Sequence, residues 1–95
     1  MTVSLFAQHQ VKDFATWKTF YDENAREALK KGGVLTDTVH RNIEDPNSVL
    51  VYHQFADTDS LNAFVAFFDS DEAREMSKVT GTIMESINIW VGEDI

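Results

Sequence analysis

Residues 34–56, VLTDTVHRNIEDPNSVLVYHQFA, contain two runs of strand-like residues on either side of Asp45-Pro46-Asn47. Because proline fixes φ and asparagine tolerates the left-handed region, these three residues predict a tight turn. The flanking strands are predicted over about 34–44 and 48–56. We therefore expect a β-hairpin at the centre of the chain.

The two faces of this hairpin differ in polarity. If Glu44 pairs with Ser48, the register places Val39 opposite His53 and Ile43 opposite Val49. The more apolar face, which we expect the helices to cover, comprises Val39, Ile43, Val49, Val51, His53 and Phe55. The other face comprises Thr36, Thr38, His40, Leu50, Tyr52 and Gln54.

A strand–helix pattern precedes the hairpin. Residues 2–10 alternate with the period of a strand, and Asp13 is placed to cap a following helix. Gly32-Gly33 predicts its left-handed stop. The predicted buried stripe of this helix is Phe14, Trp17, Tyr21, Ala25 and Ala28.

A helix–strand pattern follows the hairpin. Asp57 opens a second helix, which we expect to break near Asp69-Ser70. A short helix then runs from 71 to about 79, and Gly81 ends it. The last strand is predicted over 82–91.

These elements predict an α+β, ferredoxin-like βαββαβ fold in a single domain, 1–95. Its four-stranded antiparallel sheet has the order 4-1-3-2, with the helices on one face. Strands 1 and 3 are expected to be parallel neighbours in the centre. Because several strands also place large side chains on the other face, we expect that face to have a partner.

Composition narrows the class of protein. The 95 residues are 43% hydrophobic and 25% charged, as in ordinary globular domains. The net charge of −8 disfavours nucleic-acid binding, which needs clustered Lys and Arg. The lack of cysteine excludes disulfides and thiolate nucleophiles. No stretch resembles a signal peptide or a membrane helix, so we expect a cytoplasmic protein.

Three segments resemble a known group of proteins: His9-x-Val11-Lys12-Asp13-Phe14-x-x-Trp17-Lys18, the Asp45-Pro46-Asn47 turn, and Val49-Leu50-Val51-Tyr52. They are similar to the dimeric α/β-barrel superfamily, in its antibiotic-biosynthesis-monooxygenase-like branch. The resemblance spans nearly the whole chain as a fold and pattern. It implies a homodimer whose two sheets meet as a barrel, with a small-molecule pocket between sheet and helices. Its members include cofactor-independent oxygenases of polycyclic aromatic substrates, haem-degrading enzymes and isomerases.

Under this resemblance, the open sheet face forms the interior of the barrel. Mixed aromatic and polar side chains suit such a subunit interface. The alternative is an ordinary solvated sheet face, although large aromatic side chains contribute most when buried. The residues expected in the barrel are Phe6, Gln8, His40, Tyr52, Gln54, Met84 and Trp90.

Alternation along the strands puts His9, His53 and Glu85 on the helix-covered face. With strands 1 and 3 taken as parallel, both histidines lie toward the same end of the sheet, and Glu85, early in the last strand, reaches that end. We predict His9 and His53 as catalytic bases that work near neutral pH. The predicted substrate-binding residues are Trp17, Tyr21, Phe64 and Glu85.

Other interpretations of these residues stay open. A histidine at a strand end is often structural, and Glu85 could pair with Lys12 or face solvent. Two histidines and a carboxylate could also hold non-haem iron, but no spacing motif supports this, so no metal and no cofactor are predicted.

Two function classes fit the residues poorly. The haem-degrading relatives use a helix histidine, whereas His9, His40 and His53 all fall on predicted strands. An RNA-recognition domain would need a basic surface with exposed aromatic residues, whereas this chain has a net charge of −8.

Two hypotheses about function remain. The first is a small-molecule protein, in the form of a cofactor-independent monooxygenase-like enzyme of an aromatic or polyketide-like substrate. In this case a base such as His9 or His53 deprotonates the substrate, which then delivers an electron to oxygen. The second is a non-catalytic binding or accessory homodimer with a packed interior. The size of the space between the helices and the sheet discriminates between them.

Overall fold

The computed structural model describes all 95 residues. Four strands form a sheet, and four α-helices pack on one side of it. A π-helical turn and a 3₁₀ turn lie between the regular elements. The elements in chain order are β1 (Val3–Gln10), α1 (Phe14–Phe20), the π-turn (Tyr21–Ala25), α2 (Arg26–Lys31), β2 (Val34–Arg41), β3 (Ser48–Phe55), α3 (Thr58–Phe68), α4 (Asp71–Thr80), the 3₁₀ turn (Met84–Ser86) and β4 (Asn88–Glu93).

The sheet order β2-β3-β1-β4 is the predicted 4-1-3-2 order, and the ferredoxin-like fold is confirmed. All neighbouring strands are antiparallel, so the expectation that β1 and β3 are parallel is wrong. The crossover through α1 and α2 brings β2 back parallel to β1, with β3 inserted between them. Since β3 leaves β2 through a hairpin, it must run against both. His9 therefore pairs with Val49, whereas His53 pairs with Leu5.

The hairpin has the predicted faces but a register shifted by two residues. Arg41, and not Ile43, lies opposite Val49. The Asp45–Ser48 turn forms as expected, with the Ser48 amide donating to the Asp45 carbonyl at 3.0 Å. The difference comes from Asn42, whose side-chain oxygen accepts from two loop amides at 2.8 and 2.9 Å and so widens the loop. Ile43 is consequently fully exposed, which corrects its assignment to the covered face.

The first helical stretch begins as predicted, with the Asp13 carboxylate accepting from the Thr16 amide at 2.9 Å. It ends at the glycine pair, where Gly33 adopts φ +96°. The π-turn within it was not predicted. An extra residue in that turn rotates all later side chains around the axis, so Leu29 is buried and Ala28 is exposed.

The later helices match the prediction closely. The Asp57 side chain caps α3 at the Ser60 amide (2.8 Å), and the Ser70 hydroxyl caps α4 at the Ala73 amide (3.1 Å). The helices break between 68 and 71, as Asp69-Ser70 predicts. Gly81 ends α4 in the left-handed conformation, with φ +80°.

The segment before β4 departs from the predicted strand over 82–91. Thr82 forms an isolated bridge with Val11, and the Gln10 amide then donates to the Ser86 hydroxyl at 2.8 Å. Between the Val11–Thr82 bridge and the Gln8–Asn88 pair, the segment that contains the 3₁₀ turn has three residues more than continuous pairing with β1 would need. Because this number is odd, the side chains before the turn face the opposite side from the one that simple alternation predicts. Glu85 is therefore exposed, which contradicts its predicted place on the covered face.

The core lies between the helices and the covered face of the sheet. Its buried members are Val3, Leu5, Ala7, Val11, Trp17, Tyr21, Leu29, Val34, Val49, Val51, Phe55 and Leu61. On the other face, the Phe6 ring lies 5.0 Å from the Tyr52 ring and 5.7 Å from the Trp90 ring, centroid to centroid. Trp90 is 64% exposed there. No helix is long and apolar enough to span a membrane.

Candidate functional site

A cavity of about 510 Å³ lies between the helices and the covered face of the sheet. Its size and mostly apolar lining are those of a site for a small organic molecule. Helix α1, the π-turn, α2, α3 and α4 surround it, and β1 and β3 form its floor. Its aromatic and larger aliphatic walls comprise Trp17, Phe20, Tyr21, Leu29, Val51, Phe64, Phe67, Phe68, Met76 and Met84.

His53 lies on the floor of this cavity and is only 2% exposed. Its Nε2 is 2.9 Å from the Tyr21 hydroxyl and 3.3 Å from Asp37 Oδ1. The Phe64 ring meets the imidazole edge to face, with the centroids 5.1 Å apart. The imidazole is thus held by polar groups on one side and by an aromatic wall on the other.

Asp37 connects this histidine to the surface of the protein. The Tyr21 hydroxyl donates to its Oδ1, and Arg26 Nη1 donates to its Oδ2 at 2.8 Å. Arg26 is also bound to Asp22, with Nε to Oδ1 at 2.9 Å. Asp37 comes from the edge strand β2, and the side chains that meet it come from the π-turn and α2.

Asp37 was not among the predicted site residues, although the sequence contains a signal for it. Asp37 has the same parity as Val39, so alternation alone puts its carboxylate on the helix-covered face. Its neighbours Thr36 and Thr38 point to the other face. A carboxylate with that parity, two residues from an apolar position, needs a buried partner, and Arg26 and Tyr21 supply it.

The hydrogen bonds around His53 indicate which of its ring nitrogens carries the hydrogen. Tyr21 gives its only proton to Asp37, so its oxygen can only accept from Nε2, and Asp37 Oδ1 is itself an acceptor. Nε2 therefore bears the hydrogen, and Nδ1 presents a lone pair. Nδ1 is buried and has no protein partner. Burial lowers the pKa of His53, against an opposing effect of the Asp37 carboxylate, so the ring is neutral near pH 7.

Tyr21 joins the polar network to the aromatic wall. Its ring stacks on Trp17 at 5.0 Å, and the Arg26 guanidinium lies 5.2 Å from the ring centroid. Burial, followed by the bond to Asp37, raises the pKa of the Tyr21 hydroxyl far above its ordinary value. The hydroxyl thus stays protonated and acts as a fixed donor to Asp37.

His9 lies in the same cavity but away from His53. The two residues are separated by four positions along the strands, or about 13 Å. The His9 ring packs edge-on to Trp17 with centroids 5.6 Å apart, and its Nδ1 is 3.4 Å from the Gln10 carbonyl oxygen. Burial lowers the pKa of His9. The two histidines therefore occupy separate parts of the cavity.

Five of the six predicted site residues line the cavity, namely His9, Trp17, Tyr21, His53 and Phe64. Glu85 does not, because the 3₁₀ turn exposes it. Met84, predicted for the interior of a barrel, lines the cavity instead, together with Thr80 and Thr82. No three His, Cys, Asp or Glu side chains are grouped closely enough to hold a metal ion.

Charge in the cavity lining is sparse and of one sign. Glu72, at the end of the cavity formed by α4, is the one formally charged side chain in the lining, and no Lys or Arg belongs to it. The uncharged polar side chains of the lining, besides the two histidines and Tyr21, are Asn24, Ser77, Thr80 and Thr82. Such a mostly apolar cavity suits a ring compound with few polar groups.

No protein-family model matches the sequence, and no curated protein matches it either. Solved structures do share the fold. A conserved protein from Methanosarcina mazei Go1 is 18% identical, with a TM-score of 0.73 over 100% of this chain and 94% of that one. SnoaB, a cofactor-independent oxygenase from Streptomyces nogalater, is 12% identical, with a TM-score of 0.74 over 99% and 93%.

A monooxygenase from the gene ActVA-Orf6 of Streptomyces coelicolor, solved with the ligand nanaomycin D, is 19% identical, with a TM-score of 0.70 over 98% and 87% of the two chains. The expected resemblance to antibiotic-biosynthesis-monooxygenase-like proteins is confirmed at the level of the fold.

Proposed function

We propose that this chain binds a flat, largely apolar small molecule between its helices and its sheet, and that it acts on it as a cofactor-independent, monooxygenase-like enzyme. The observation that carries this proposal is the cavity of about 510 Å³, which has aromatic walls and His53 in its floor. The His53 side chain is buried, and its Nδ1 has no hydrogen-bond partner within the protein.

His53 has the arrangement of a general base. Its Nδ1 lone pair accepts a proton from the bound molecule, while Nε2 stays fixed by Tyr21 and Asp37. The Asp37 carboxylate, 3.3 Å from Nε2, then stabilises the imidazolium. His9, about 13 Å away along the strands, is the second candidate base and contacts another part of the ligand.

The proposed reaction needs only the substrate and molecular oxygen. Loss of a proton turns an activated methylene between aromatic rings into a carbanion, which supplies the electrons to oxygen. One oxygen atom replaces both methylene hydrogens as a carbonyl, and the other leaves with those hydrogens as water. Since the substrate supplies all four electrons, no reducing cofactor is required.

The fold neighbours favour an aromatic or polyketide-like substrate. One is described as a cofactor-independent oxygenase, and another is a monooxygenase that was solved with nanaomycin D. In this chain, Trp17 and Phe64 would contact the faces of such a ring system, because both are aromatic side chains of the cavity wall.

We further propose a homodimer formed through the open sheet face. Phe6, Tyr52 and Trp90 form an aromatic cluster on that face, and Trp90 is 64% exposed in the single chain. Aromatic side chains with a polar surround are typical of the centre of a protein interface. A second copy placed on this face would bury the cluster and close a barrel.

The alternative is a homodimer that binds a ligand without converting it. The sequence-based version of this alternative has a packed interior. In the structure, however, the space between the helices and the sheet contains a cavity large enough for a ligand. The alternative to an enzyme is therefore a homodimer that has the same cavity and binds a ligand there without catalysing a reaction.

Oxygen uptake with a hydroxylated anthrone as probe tests the proposal. We expect uptake by the native protein, with loss of at least 100-fold in turnover for His53→Ala. His40→Ala is the matched control, since His40 is exposed on the other face of the sheet. Equal turnover in the His53 and His40 variants would refute His53 as the base.

Anaerobic binding of the same probe separates the alternatives. Binding without any oxygen uptake supports the non-catalytic homodimer. A lack of binding, with full exposure of Trp17 to a soluble quencher, would contradict both forms of the proposal.

A further inference from the structure

The end of the cavity at His9 contains a ring nitrogen that no protein group engages. Nδ1 of His9 lies 3.4 Å from the Gln10 carbonyl oxygen, whereas Nε2 has no hydrogen-bond partner in the protein. Among the polar side-chain atoms that lack a partner in residues that are not exposed, only His53 Nδ1 is completely enclosed. Nε2 of His9 therefore touches open space, and the open space beside this ring is the cavity, which both His9 and Trp17 line.

The contact with Gln10 indicates which nitrogen of His9 carries the hydrogen. A carbonyl oxygen can only accept, so Nδ1 is the donor and Nε2 presents a lone pair. Burial lowers the pKa of His9, with the Gln10 contact opposing it, so the ring is neutral near pH 7. His9 thus offers an acceptor to the cavity, and not a donor.

Thr82 brings a hydroxyl to the same part of the cavity. It forms an antiparallel bridge with Val11, and the Ile83 amide donates to the Gln10 carbonyl at 3.0 Å. Bridged residues share a face of the sheet, and Val11 has the same alternation as His9, so Thr82 is the diagonal neighbour of His9 on the covered face. Diagonal neighbours lie about 7–8 Å apart, a spacing that accommodates a ligand oxygen between their polar atoms.

The hydroxyl of Thr82 is free to donate to a ligand. Its oxygen lies 2.8 Å from the Thr80 hydroxyl oxygen, and both residues line the cavity. The other acceptor for the Thr80 hydrogen, the Ser77 carbonyl, is 3.5 Å away, so the shorter bond to Thr82 is favoured. When Thr80 donates to Thr82, the hydrogen of the Thr82 hydroxyl has no acceptor in the protein.

We infer that His9 Nε2 and the Thr82 hydroxyl form a two-point subsite for a hydroxyl group of the ligand. The ligand hydroxyl donates to Nε2 and accepts from Thr82, so both of its hydrogen-bonding functions are used. Thr80 is the positioning residue, because its hydrogen bond orients the Thr82 hydroxyl. The inference rests on the proposed ligand-binding function and adds where a hydroxyl substituent of the ligand lies. It makes no use of the oxygenase step.

The other polar groups of the lining are engaged elsewhere or lie far from His9. The Ser77 hydroxyl and the Asn24 amide each donate to a main-chain carbonyl of their own helical segment, at 2.6 and 3.2 Å. Glu72 lies eight residues before Thr80 on α4, or about 12 Å along the helix axis. The pair of His9 and Thr82 therefore combines, in one part of the lining, a buried acceptor and a free donor.

The first test needs no ligand. Nitrogen NMR of protein labelled with ¹⁵N-histidine reports which ring nitrogen of His9 carries hydrogen. We expect hydrogen on Nδ1 and none on Nε2 at pH 7. His9→Phe identifies the two signals by removing them, and His40→Phe, on the open sheet face, is the matched control. Hydrogen on Nε2 of His9 overturns the inference, because that nitrogen then donates.

The second test compares two probes with the same ring system, 2,6-dihydroxynaphthalene and naphthalene. The diol is symmetric, so either orientation in the cavity brings a hydroxyl to the His9 end. Shifts of the backbone amide signals in proton–nitrogen NMR give the dissociation constant of each probe. We expect Thr82→Val and His9→Phe each to weaken binding of the diol by about fivefold or more, the effect of one lost hydrogen bond. We expect both variants to bind naphthalene as the native protein does.

These variants change polarity and leave the shape of the cavity in place. Valine has the outline of threonine, and phenylalanine keeps an aromatic ring against Trp17. Thr82→Ser retains the hydroxyl and should bind the diol as tightly as the native protein. Thr38→Val is the matched control, since Thr38 is exposed on the other face of the sheet, and we expect it to change neither affinity.

The outcomes separate the inference from the function on which it rests. Loss of diol affinity alone in Thr82→Val and His9→Phe, with recovery in Thr82→Ser, supports the subsite. Equal weakening of both probes, or no weakening of either, overturns the subsite and leaves the ligand-binding function intact. If neither probe binds the native protein, the ligand-binding function itself fails, and the subsite fails with it.

Discussion

Replacement of Tyr21 by phenylalanine removes one hydroxyl from the His53 network and leaves its surroundings in place. The ring keeps its stack on Trp17 at 5.0 Å and its position under the Arg26 guanidinium at 5.2 Å. What disappears is the bond to Asp37 and the contact with His53 Nε2 at 2.9 Å. The substitution therefore measures the hydroxyl alone.

The expected cost follows from these two contacts. A hydrogen bond to a charged group contributes about 1.5–3 kcal/mol, and the one to Asp37 is of this kind. The loss at His53 is smaller, because Asp37 Oδ1, 3.3 Å from Nε2, can take over as acceptor. Since Asp37 is only 15% exposed, solvent compensates little. We expect Tyr21→Phe to lower the free energy of unfolding by about 2 kcal/mol.

Urea unfolding followed by far-ultraviolet circular dichroism measures this cost. Tyr52→Phe is the matched control, because the Tyr52 hydroxyl meets only Ser4 Oγ, at the long distance of 3.3 Å. We expect it to cost about 0.5 kcal/mol. A Tyr21→Phe cost no greater than that of Tyr52→Phe would refute the view that Tyr21 holds the network together.

The same pair of proteins gives a second check at alkaline pH. Burial raises the pKa of Tyr21 in the folded state, so the unfolded chain loses this proton first. The stabilisation is therefore complete below about pH 10, the ordinary tyrosine value, and falls as the pH rises above it. The stability difference between the native protein and Tyr21→Phe should shrink in that range, and a constant difference would contradict the raised pKa.

Two further predictions concern acid stability and assembly. Burial lowers the pKa of both His9 and His53 in the folded state, so the unfolded chain binds protons first as the pH falls below about 6.5, and each histidine removes at most about 1.4 kcal/mol per pH unit. Urea unfolding between pH 7.5 and 5 should show this loss, with a smaller slope for His53→Leu; an unchanged slope would count against a neutral buried His53. Trp90→Ala should weaken the proposed homodimer at least tenfold in sedimentation equilibrium, whereas a native protein that stays monomeric would contradict that interface.

The sequence was informative wherever side-chain alternation ran without interruption. Along β3, the period of two placed His53 on the covered face with Val51 and Phe55, and the structure agrees. Along the first helix, the period of 3.6 placed Trp17 and Tyr21 on the buried side. These two patterns meet in the cavity, which is why Trp17, Tyr21 and His53 all line it as predicted.

Prediction failed where an irregular element changed the phase. The π-turn exchanged Leu29 for Ala28 in the core, and the 3₁₀ turn removed Glu85 from the covered face. The 3₁₀ turn includes a contact between distant parts of the chain, the Gln10 amide bond to the Ser86 hydroxyl, that no local pattern encodes. The period of a sequence pattern predicts which face of the fold a side chain lies on only as far as the next inserted residue.

The prediction failed in a different way for the direction of the strands and for Asp37. The sheet order was predicted, but β1 and β3 were taken as parallel, which put His9 and His53 at the same end. In the structure the partner of His53 is instead Asp37, from β2, with its Oδ1 3.3 Å from Nε2. Its role depends on Arg26 and Tyr21 meeting it across the fold, and a distance between separate elements cannot be read from one chain's periodicity.

A crystal structure of the protein grown with 2-naphthol shows directly whether the cavity binds an aromatic ring compound beside His53. We expect the naphthalene ring between Trp17 and Phe64, with its oxygen close to His53. Density for 2-naphthol confined to the open face near Trp90, with the cavity closed around His53, would contradict it.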